Sequence, residues 1–146
     1  MIKVAKLLEK KGTEIWHIGP EDTVYKALEV MGNKGVGALC VLLNDELVGI
    51  ISERDYARKV ILKGRISRET KVKEIMTRHV YHSHPEQNIE ECLVLMNEKR
   101  IRHLPVIDGT KIVGMISTGD VVKEIITEQK YTIKQLENYI SWEESY

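Results

Sequence analysis

The chain contains one sequence pattern twice. Residues 17–60 align without a gap with residues 82–125, and 13 of the 44 aligned pairs are identical. About a third of the other pairs exchange one apolar residue for another, as Val36 and Ile101 do. A repeat without gaps indicates two copies of one supersecondary unit, which we call copy one and copy two. A surface site built by one copy is therefore expected to occur twice, at positions related by a pseudo-two-fold axis.

Copy one has the pattern of a β-α-β-β-α unit. An extended entry at residues 14–18 is stopped by Pro20, and a helix with apolar residues at helical spacing follows. Two apolar runs, at residues 38–43 and 46–51, flank a short polar turn and predict a β-hairpin. A second helix is expected to begin at Ser52.

Copy two repeats the same order of elements. Residues 80–84 predict an extended entry, and Asn88 is the expected N-cap of the helix that follows. The pair Asp108-Gly109 is a strong hairpin turn signal between two apolar runs. Ser117 then begins the last helix of the copy.

The two copies need each other to bury their strands. A unit of about 50 residues is too small to cover strands that are apolar on both faces. We therefore predict one module over residues 1–146 with an α/β (α+β) fold, in which repeat 1 (residues 14–62) packs sheet to sheet against repeat 2 (residues 78–128). Short helices are expected to lead into the repeats.

The C-terminal segment is predicted to be a separate amphipathic helix. Residues 131–146 carry apolar side chains along one side of a helical pattern. Thr132 and Gln135 have the spacing of a capping box, which marks a helix start. Such a helix needs an apolar surface to cover, on its own chain or on a partner.

Charge and cysteine content restrict the class of protein. Lys plus Arg and Asp plus Glu are 22 each, so the net charge is zero and a dedicated nucleic-acid binder is disfavoured. Cys40 and Cys92 lie in apolar runs and predict buried free thiols in a reducing compartment. The sequence has no stretch of 18 apolar residues, and its first residues lack a secretory signal pattern. We expect a cytoplasmic protein with no membrane partner.

The identities between the copies are densest around one motif. It reads Gly-Ile-Ile-Ser-Glu-Arg-Asp at residues 49–55 and Gly-Met-Ile-Ser-Thr-Gly-Asp at residues 114–120. The serine ends a strand and opens a helix, and a helix N-terminus favours oxyanions such as phosphate. A carboxylate in the first helical turn could accept hydrogen bonds from the two hydroxyls of a ribose. The candidate ribose-binding residues are Asp55, Asp120, Ser52 and Ser117.

A structural role for this motif is the alternative. Ser-x-x-Asp is close to a capping box, and many helices begin in this way. The duplication at a fixed spacing, with a glycine three residues before each serine, favours a nucleotide site over a cap alone.

Basic residues near the motifs could bind phosphate. Guanidinium groups form strong, charge-assisted hydrogen bonds with phosphate oxygens, although a solvated basic face is the alternative. Copy one has Gly37-Ala38 where copy two has a basic pair, so the two sites are expected to differ in phosphate affinity. The candidate phosphate-binding residues are Arg102, His103, Arg54, Arg58 and Thr118.

These motifs resemble a known family. The tandem units, with His-Leu-Pro-Val at residues 103–106 and Gly-x-x-Ser-x-x-Asp in both copies, are similar to a pair of cystathionine-β-synthase (CBS) domains, the Bateman module. The resemblance implies that an adenine nucleotide such as AMP, ADP, ATP or NAD, or S-adenosylmethionine, binds in clefts between the repeats. It also implies the ribose role for Asp55 and Asp120 and the phosphate role for Arg102 and His103.

Copy one departs from the family pattern. Cys40 replaces the proline of Leu-Pro-Val, and Gly37-Ala38 replace the polar pair, so a phosphate contact from that strand is not expected. Arg54 and Arg58 are the residues that could compensate.

Other residue groups are expected to have plainer, structural roles. A metal site is disfavoured because no cysteine is near the histidines and one of them repeats His17. Trp16 and Tyr81 occupy matching positions and are expected to be packing residues, with adenine stacking as the alternative. The histidines in question are His79, His82 and His84.

The sequence therefore predicts a non-enzymatic regulatory module that senses an adenine nucleotide and uses no catalytic cofactor or metal. A homodimer is expected through two apolar helical faces, and an unidentified regulated protein is a further expected partner. The alternative is a constitutive dimerisation or docking module with degenerate ligand pockets. Nucleic-acid binding through the basic segment 99–102 is disfavoured by the charge balance. The residues of the two expected dimer faces are Ala27, Leu28 and Met31, and Val121, Val122 and Ile125.

Overall fold

The chain folds as two α/β units whose sheets face each other. The computed structural model describes residues 1–144, with side chains up to residue 143. In chain order the elements are α1 (Val4–Lys11), β1 (His17–Ile18), α2 (Val24–Lys34), β2 (Ala38–Leu43), β3 (Glu46–Ser52), α3 (Glu53–Lys59), a 3-10 turn (Ile61–Lys63), α4 (Val72–Ile75), α5 (Ile89–Lys99), β4 (His103–Asp108), β5 (Lys111–Ser117) and α6 (Thr118–Glu144). This mixed fold is the one the repeat pattern predicts.

The predicted hairpins are confirmed in both copies. β2 pairs with β3 and β4 pairs with β5, each in antiparallel register. The register shifts between Val41 and Leu42 in copy one and between Val106 and Ile107 in copy two, which are equivalent positions of the repeat. The two copies therefore share the position of this register shift as well as the hairpin itself.

The predicted entry strands form unequally. In copy one, β1 pairs in parallel with β2, and the Cys40 N–H donates to the Trp16 carbonyl at 3.2 Å. In copy two, the predicted strand at residues 80–84 is reduced to one bridge from Ser83 to β4. Pro105 occupies the position of Cys40 and has no N–H to donate, so the equivalent bond cannot form.

The first helix of each copy has a similar end but a different start. The Thr23 hydroxyl accepts a hydrogen bond from the Lys26 N–H and caps α2. Asn88 lies at the N-cap of α5, but its side chain makes no capping bond. α2 ends at Gly35 with φ 65°, whereas α5 ends at Arg100 with φ 55°. A residue with a side chain in this left-handed conformation costs about 1–2 kcal/mol relative to its right-handed form.

The lead-in helices pack on the copy opposite to the one they precede. α1 lies before copy one in the sequence, yet Leu7 and Leu8 belong to the core of copy two. α4 lies before copy two, yet Ile75 belongs to the core of copy one. A Cβ at Gly114 would lie 2.7 Å from Leu8, which shows how closely this helix approaches β5. Each helix therefore precedes its repeat in the sequence, as predicted, but packs against the other repeat in the structure.

A third apolar cluster lies between the two sheets. Ala38 and Cys40 of β2 are buried with Met115 of β5, and the Cys40 and Met115 sulfur atoms are 3.7 Å apart. Burial raises the pKa of the Cys40 thiol to about 12. Burial also raises the pKa of Cys92, and both cysteines are free and buried, as predicted.

Two expectations about apolar surfaces are wrong. Ala27, Met31 and Val121 are buried in the cores of their own copies, so these residues cannot form the expected dimer faces. The predicted tail helix is continuous with the last helix of copy two, because α6 runs for 27 residues. Thr132 lies within α6 and its hydroxyl donates to the Glu128 carbonyl, so it caps no helix start.

Residues 145 and 146 of the predicted tail lie outside the described part of the chain. Over residues 1–144, every helix is too short or too polar to span a bilayer.

Candidate functional site

Both Ser-x-x-Asp motifs form capping interactions. The Ser52 hydroxyl accepts from the Asp55 N–H at 3.2 Å, and the Asp55 carboxylate accepts from the Ser52 N–H at 3.0 Å. The same two bonds join Ser117 and Asp120, at 3.1 and 2.8 Å. The helix-capping role, which the sequence left as the alternative to ligand binding, is therefore formed in both copies. The capping bonds hold each aspartate at the start of a helix, which is the position from which it would bind a ligand.

Asp55 is surrounded by donors. Its Oδ2 also accepts from the Ser52 hydroxyl at 3.1 Å, and its Oδ1 accepts from the Thr77 hydroxyl at 3.2 Å and from Lys59 Nζ at 2.9 Å. A carboxylate offers about four acceptor positions, so these contacts fill them. A new donor at Asp55 must therefore replace an existing one. Lys59 is the partner most readily exchanged, because 44% of its side chain is exposed.

Asp120 has a different environment. Its Oδ2 accepts from Lys11 Nζ at 2.6 Å, and 27% of its side chain is exposed. Lys11 also donates to the Met115 carbonyl. Burial raises the pKa of Asp120, but the hydrogen bonds from Lys11 and the Ser117 N–H outweigh it, so the net pKa is lowered. Lys11 reaches this site because α1 packs on copy two.

A cleft of about 730 Å³ lies between the copies at Asp55. We call it the Asp55 cleft. Copy one contributes the start of α3, and copy two contributes the segment that enters β4, since the two hairpins pack against each other. Six predicted site residues line the cleft: Ser52, Arg54, Asp55, Arg58, Arg102 and His103.

The remaining predicted residues lie elsewhere. Thr118 lines an adjoining cavity of about 560 Å³, together with Arg54 and Arg102. Ser117 and Asp120 line neither of these two cavities. The structure therefore gathers candidates from both copies around one aspartate.

At the rim of the Asp55 cleft, copy one contributes Gly37 and copy two contributes His103. A Cβ added at Gly37 would lie 3.5 Å from the His103 ring, so the histidine packs beside this glycine. Burial lowers the pKa of His103, the charges of Lys11 and Arg102 lower it further, and Asp120 acts in the opposite direction. His103 is therefore a neutral imidazole at neutral pH, and a bound phosphate would favour its protonated form.

Sequence reasoning missed two residues of the cleft, Thr77 and Arg100, as nucleotide-binding candidates. Thr77 contacts Asp55 but has no partner motif in the repeat that could mark it. Arg100 lines the cleft, and its signal was the replacement of the helix-ending glycine by arginine. Tyr81, for which the sequence left adenine stacking as the alternative role, also lines the cleft, and Lys99 Nζ lies 5.2 Å from its ring centre.

Comparison with known proteins identifies the class. The family model described as CBS domain matches residues 4–62 and 72–127, which together cover most of the chain. The chain belongs to the CBS-domain family, as its motifs suggested. Its two matched segments include the exchanged lead-in helices as well as the repeats.

Individual relatives agree with this assignment. The CBS domain-containing protein CBSX3, mitochondrial, of Arabidopsis thaliana is 42% identical over 134 residues, covering 88% of this chain and 65% of the relative. This chain thus spans less than two thirds of that plant protein. A CBS-domain protein structure from Burkholderia ambifaria has 47% identity and a TM-score of 0.85, covering 88% of this chain and 96% of that one.

A more distant structure shares the fold. The CBS domain pair of protein MJ0100, solved in complex with 5′-methylthioadenosine and S-adenosyl-L-methionine, has 21% identity and a TM-score of 0.76. The match covers 88% of this chain and 98% of that chain.

Proposed function

We propose that this chain is a regulatory CBS pair that binds an adenine nucleotide in the Asp55 cleft. The observation that carries the proposal is the meeting of one aspartate with basic groups from both copies around a single cavity. Cavities of about 300–1,000 Å³ are typical of small-molecule sites, and the Asp55 cleft lies within that range. The ligands bound by the MJ0100 pair, both adenosine derivatives, support the same ligand class.

The two ends of a nucleotide match two parts of the cleft. Ribose hydroxyls would replace Lys59 at Asp55 Oδ1, while Oδ2 keeps its bonds to Ser52. Phosphate would bind Arg54, Arg58 and the Arg102-His103 pair at the rim. The three arginines would compensate for Gly37-Ala38 in copy one, because the segment that enters β4 from copy two lines the same cleft.

Ligand binding would act by shifting the arrangement of the molecule. A ligand changes an equilibrium only through its different affinity for the two states. The Asp55 cleft is built from both copies, so its occupancy is sensitive to their relative position. The functional outcome is regulation of a partner protein, without chemistry on the nucleotide.

A docking module is the second candidate function, and α6 favours it. Residues 129–143 are all exposed, and several apolar side chains lie at helical spacing along this segment. A helix segment of this length is marginal in water without packing. A homodimer would cover this face instead of the buried faces first expected. The exposed aliphatic residues of α6 are Val122, Ile126, Ile133, Leu136 and Ile140.

Calorimetric titration with AMP, ATP, NAD and adenosine tests the proposal. We expect AMP to bind with micromolar affinity, about −8 kcal/mol, and adenosine to bind more weakly because it lacks phosphate. Arg102→Met should weaken AMP binding about tenfold and leave adenosine unchanged. Arg65→Met removes an exposed arginine that pairs with Glu74 and serves as the matched control.

The outcomes separate the two candidate functions. Absence of heat and of thermal stabilisation with every nucleotide would favour the docking module. Equal loss of AMP binding in the Arg102 and Arg65 variants would remove the assignment of phosphate to the Asp55 cleft.

A further inference from the structure

The last part of α6 extends beyond the body of the protein. Val121 is buried in the core of copy two and Ile125 packs against that core, whereas residues 129–143 are all exposed. At 1.5 Å per residue, this exposed segment is about 22 Å long. A helical segment of this length is marginal in water without packing, so a partner surface would stabilise it.

The exposed aliphatic side chains of α6 follow the spacing of a coiled coil. The stripe begins at Val122 and continues with steps of four, three, four, three and four residues, which are the alternating a and d positions of a heptad. A stripe of this kind is narrower than the apolar face of a helix that packs on its own domain. One polar residue interrupts it. The six positions are Val122, Ile126, Gln129, Ile133, Leu136 and Ile140.

The charged residues beside this stripe favour one orientation of a paired helix. Lys130 and Glu137 occupy successive e positions, and both are exposed. In a parallel pair an e residue faces a g residue of the partner, and the g residues Thr132 and Tyr139 carry no charge. In an antiparallel pair e faces e, so Lys130 of each helix can lie beside Glu137 of the other. The charges of α6 are therefore complementary to those of a second α6 in the antiparallel orientation.

The same two residues also fix the register of such a pair. When Ile133 of one helix faces Leu136 of the other, Lys130 faces Glu137 on both sides of the two-fold axis. A shift by one heptad in either direction places Lys130 opposite Lys130 or Glu137 opposite Glu137, and like charges disfavour those registers. The favoured register places Gln129 opposite Ile140.

We propose that α6 pairs with the α6 of a second copy of this chain as an antiparallel, two-stranded coiled coil over residues 126–143. The stripe stays accessible where the helix joins the body, because 38% of Val122 and 46% of Ile126 are exposed. The two bodies lie at opposite ends of the paired segment. This inference rests on the docking role of α6 proposed above and needs no nucleotide.

Sedimentation equilibrium of the full chain without nucleotide tests the pairing. Wild type should be a dimer, and Leu136→Asp should weaken the association on the order of 100-fold, because it places a carboxylate in the seam twice. Tyr131→Asp adds the same charge at an exposed f position on the opposite side of the helix, so this matched control should remain dimeric. Circular dichroism of both variants checks that the body is folded.

Charge reversal tests the orientation and the register. Lys130→Glu and Glu137→Lys should each weaken the dimer about tenfold, because each change places like charges opposite one another at two symmetric positions. The double variant should associate within about threefold of wild type. Single variants that associate as wild type does would contradict the antiparallel pair.

Cysteine cross-linking measures the orientation independently. The antiparallel seam places position 129 beside position 140 of the partner, so a mixture of Gln129→Cys and Ile140→Cys chains should form a mixed disulfide on mild oxidation. Wild type is the control, since Cys40 and Cys92 are both buried. Efficient cross-linking of Ile140→Cys chains to one another would show a parallel pair and overturn the proposal.

The outcomes separate this inference from the proposed function. A dimer that survives Leu136→Asp unchanged would overturn the pairing of α6 and leave dimerisation to another surface. A monomeric wild type would overturn both the pairing and the homodimer. Neither result bears on AMP binding, which the calorimetric titrations measure separately.

Discussion

Asp55 and Asp120 occupy the same position of the repeat, yet their surroundings differ. Both are held by the same capping bonds from a serine. Asp55 is buried, is contacted on both carboxylate oxygens, and lines the large cleft between the copies. Asp120 is more exposed, and its capping bond and its ion pair with Lys11 both fall on Oδ2.

The difference comes from residues outside the repeat. Twelve positions separate Val4 from Trp16, whereas nine separate Val72 from Tyr81, so the segment with α1 is three residues longer than its counterpart. Three residues are almost one helical turn. In copy one the shorter segment places Thr77 in backbone pairing with Ile50. In copy two the longer helix places a lysine side chain at the equivalent carbonyl instead. A duplicated motif therefore does not give the two aspartates the same surroundings.

The largest expected effect is a difference in AMP affinity between variants of the two aspartates. Asp55→Asn should weaken AMP binding by about 10- to 100-fold, because it removes the charge that favours hydrogen bonds from ribose. Asp120→Asn should change AMP affinity by less than about threefold, since Lys11 occupies that carboxylate. Isothermal titration of both variants measures the contrast, and equal losses would show that the two sites are equivalent after all.

The close approach of the lead-in helices gives the next contrast. Alanine at Gly49 would place its Cβ 3.0 Å from the Thr77 carbonyl and 2.7 Å from Met76, whereas at Gly114 it would meet the tip of Leu8. Overpacking of this kind costs about 1–3 kcal/mol, and a backbone atom yields less readily than a side chain. Urea denaturation should show a larger loss of stability for Gly49→Ala than for Gly114→Ala. The reverse order would mean that α1 is held more rigidly than α4.

The shared capping bonds predict a smaller and equal effect. Ser52→Ala and Ser117→Ala should each lower the free energy of unfolding by about 1 kcal/mol, because each removes one hydroxyl acceptor at a helix start. Replacement by threonine should restore most of this loss. A marked inequality between the two alanine variants in chemical denaturation would show that one serine has a role beyond its cap.

The smallest expected effect is a loss of folding stability at acid pH. The folded-state pKa of Asp120 is lowered, so its contribution to stability is present above its unfolded pKa of about 3.9 and is lost as pH falls through the folded value. Lys11→Ala should raise the pKa of Asp120 and remove part of this dependence. NMR titration of the carboxyl carbon measures the shift, with Lys6→Ala on the same helix as the control. An unchanged pKa in the Lys11 variant would mean that the ion pair does not form in solution.

Much of the fold could be predicted from the sequence because its signals are local. The two apolar runs around Asp108-Gly109 predicted the hairpin, and Ser52 predicted the start of α3. The failures are equally specific. The entry strand of copy two is reduced by a proline on the neighbouring strand, and the continuity of α6 overrides the capping pattern at Thr132. The loss of the entry strand depends on pairing between residues far apart in the sequence, which a local pattern does not include.

Only part of the candidate site could be predicted from the sequence. The repeat identified both Ser-Asp pairs, and the basic segment before β4 identified Arg102 and His103 as candidates. The sequence could not show that this segment of copy two faces Asp55 of copy one. Nor could it show the contact of Lys11 with Asp120, which joins residues 109 positions apart.

The sequence by itself determined two copies of a β-α-β-β-α unit, the serine and aspartate at each helix start, and the buried free cysteines. Those features depend on spacing along the chain and on side-chain polarity, which are present before folding. Only the tertiary structure decided that the lead-in helices exchange copies, that one aspartate lies in an open basic cleft, and that the other pairs with a lysine. These outcomes depend on which surfaces pack together, and packing brings distant residues within reach of short-range hydrogen bonds and ion pairs.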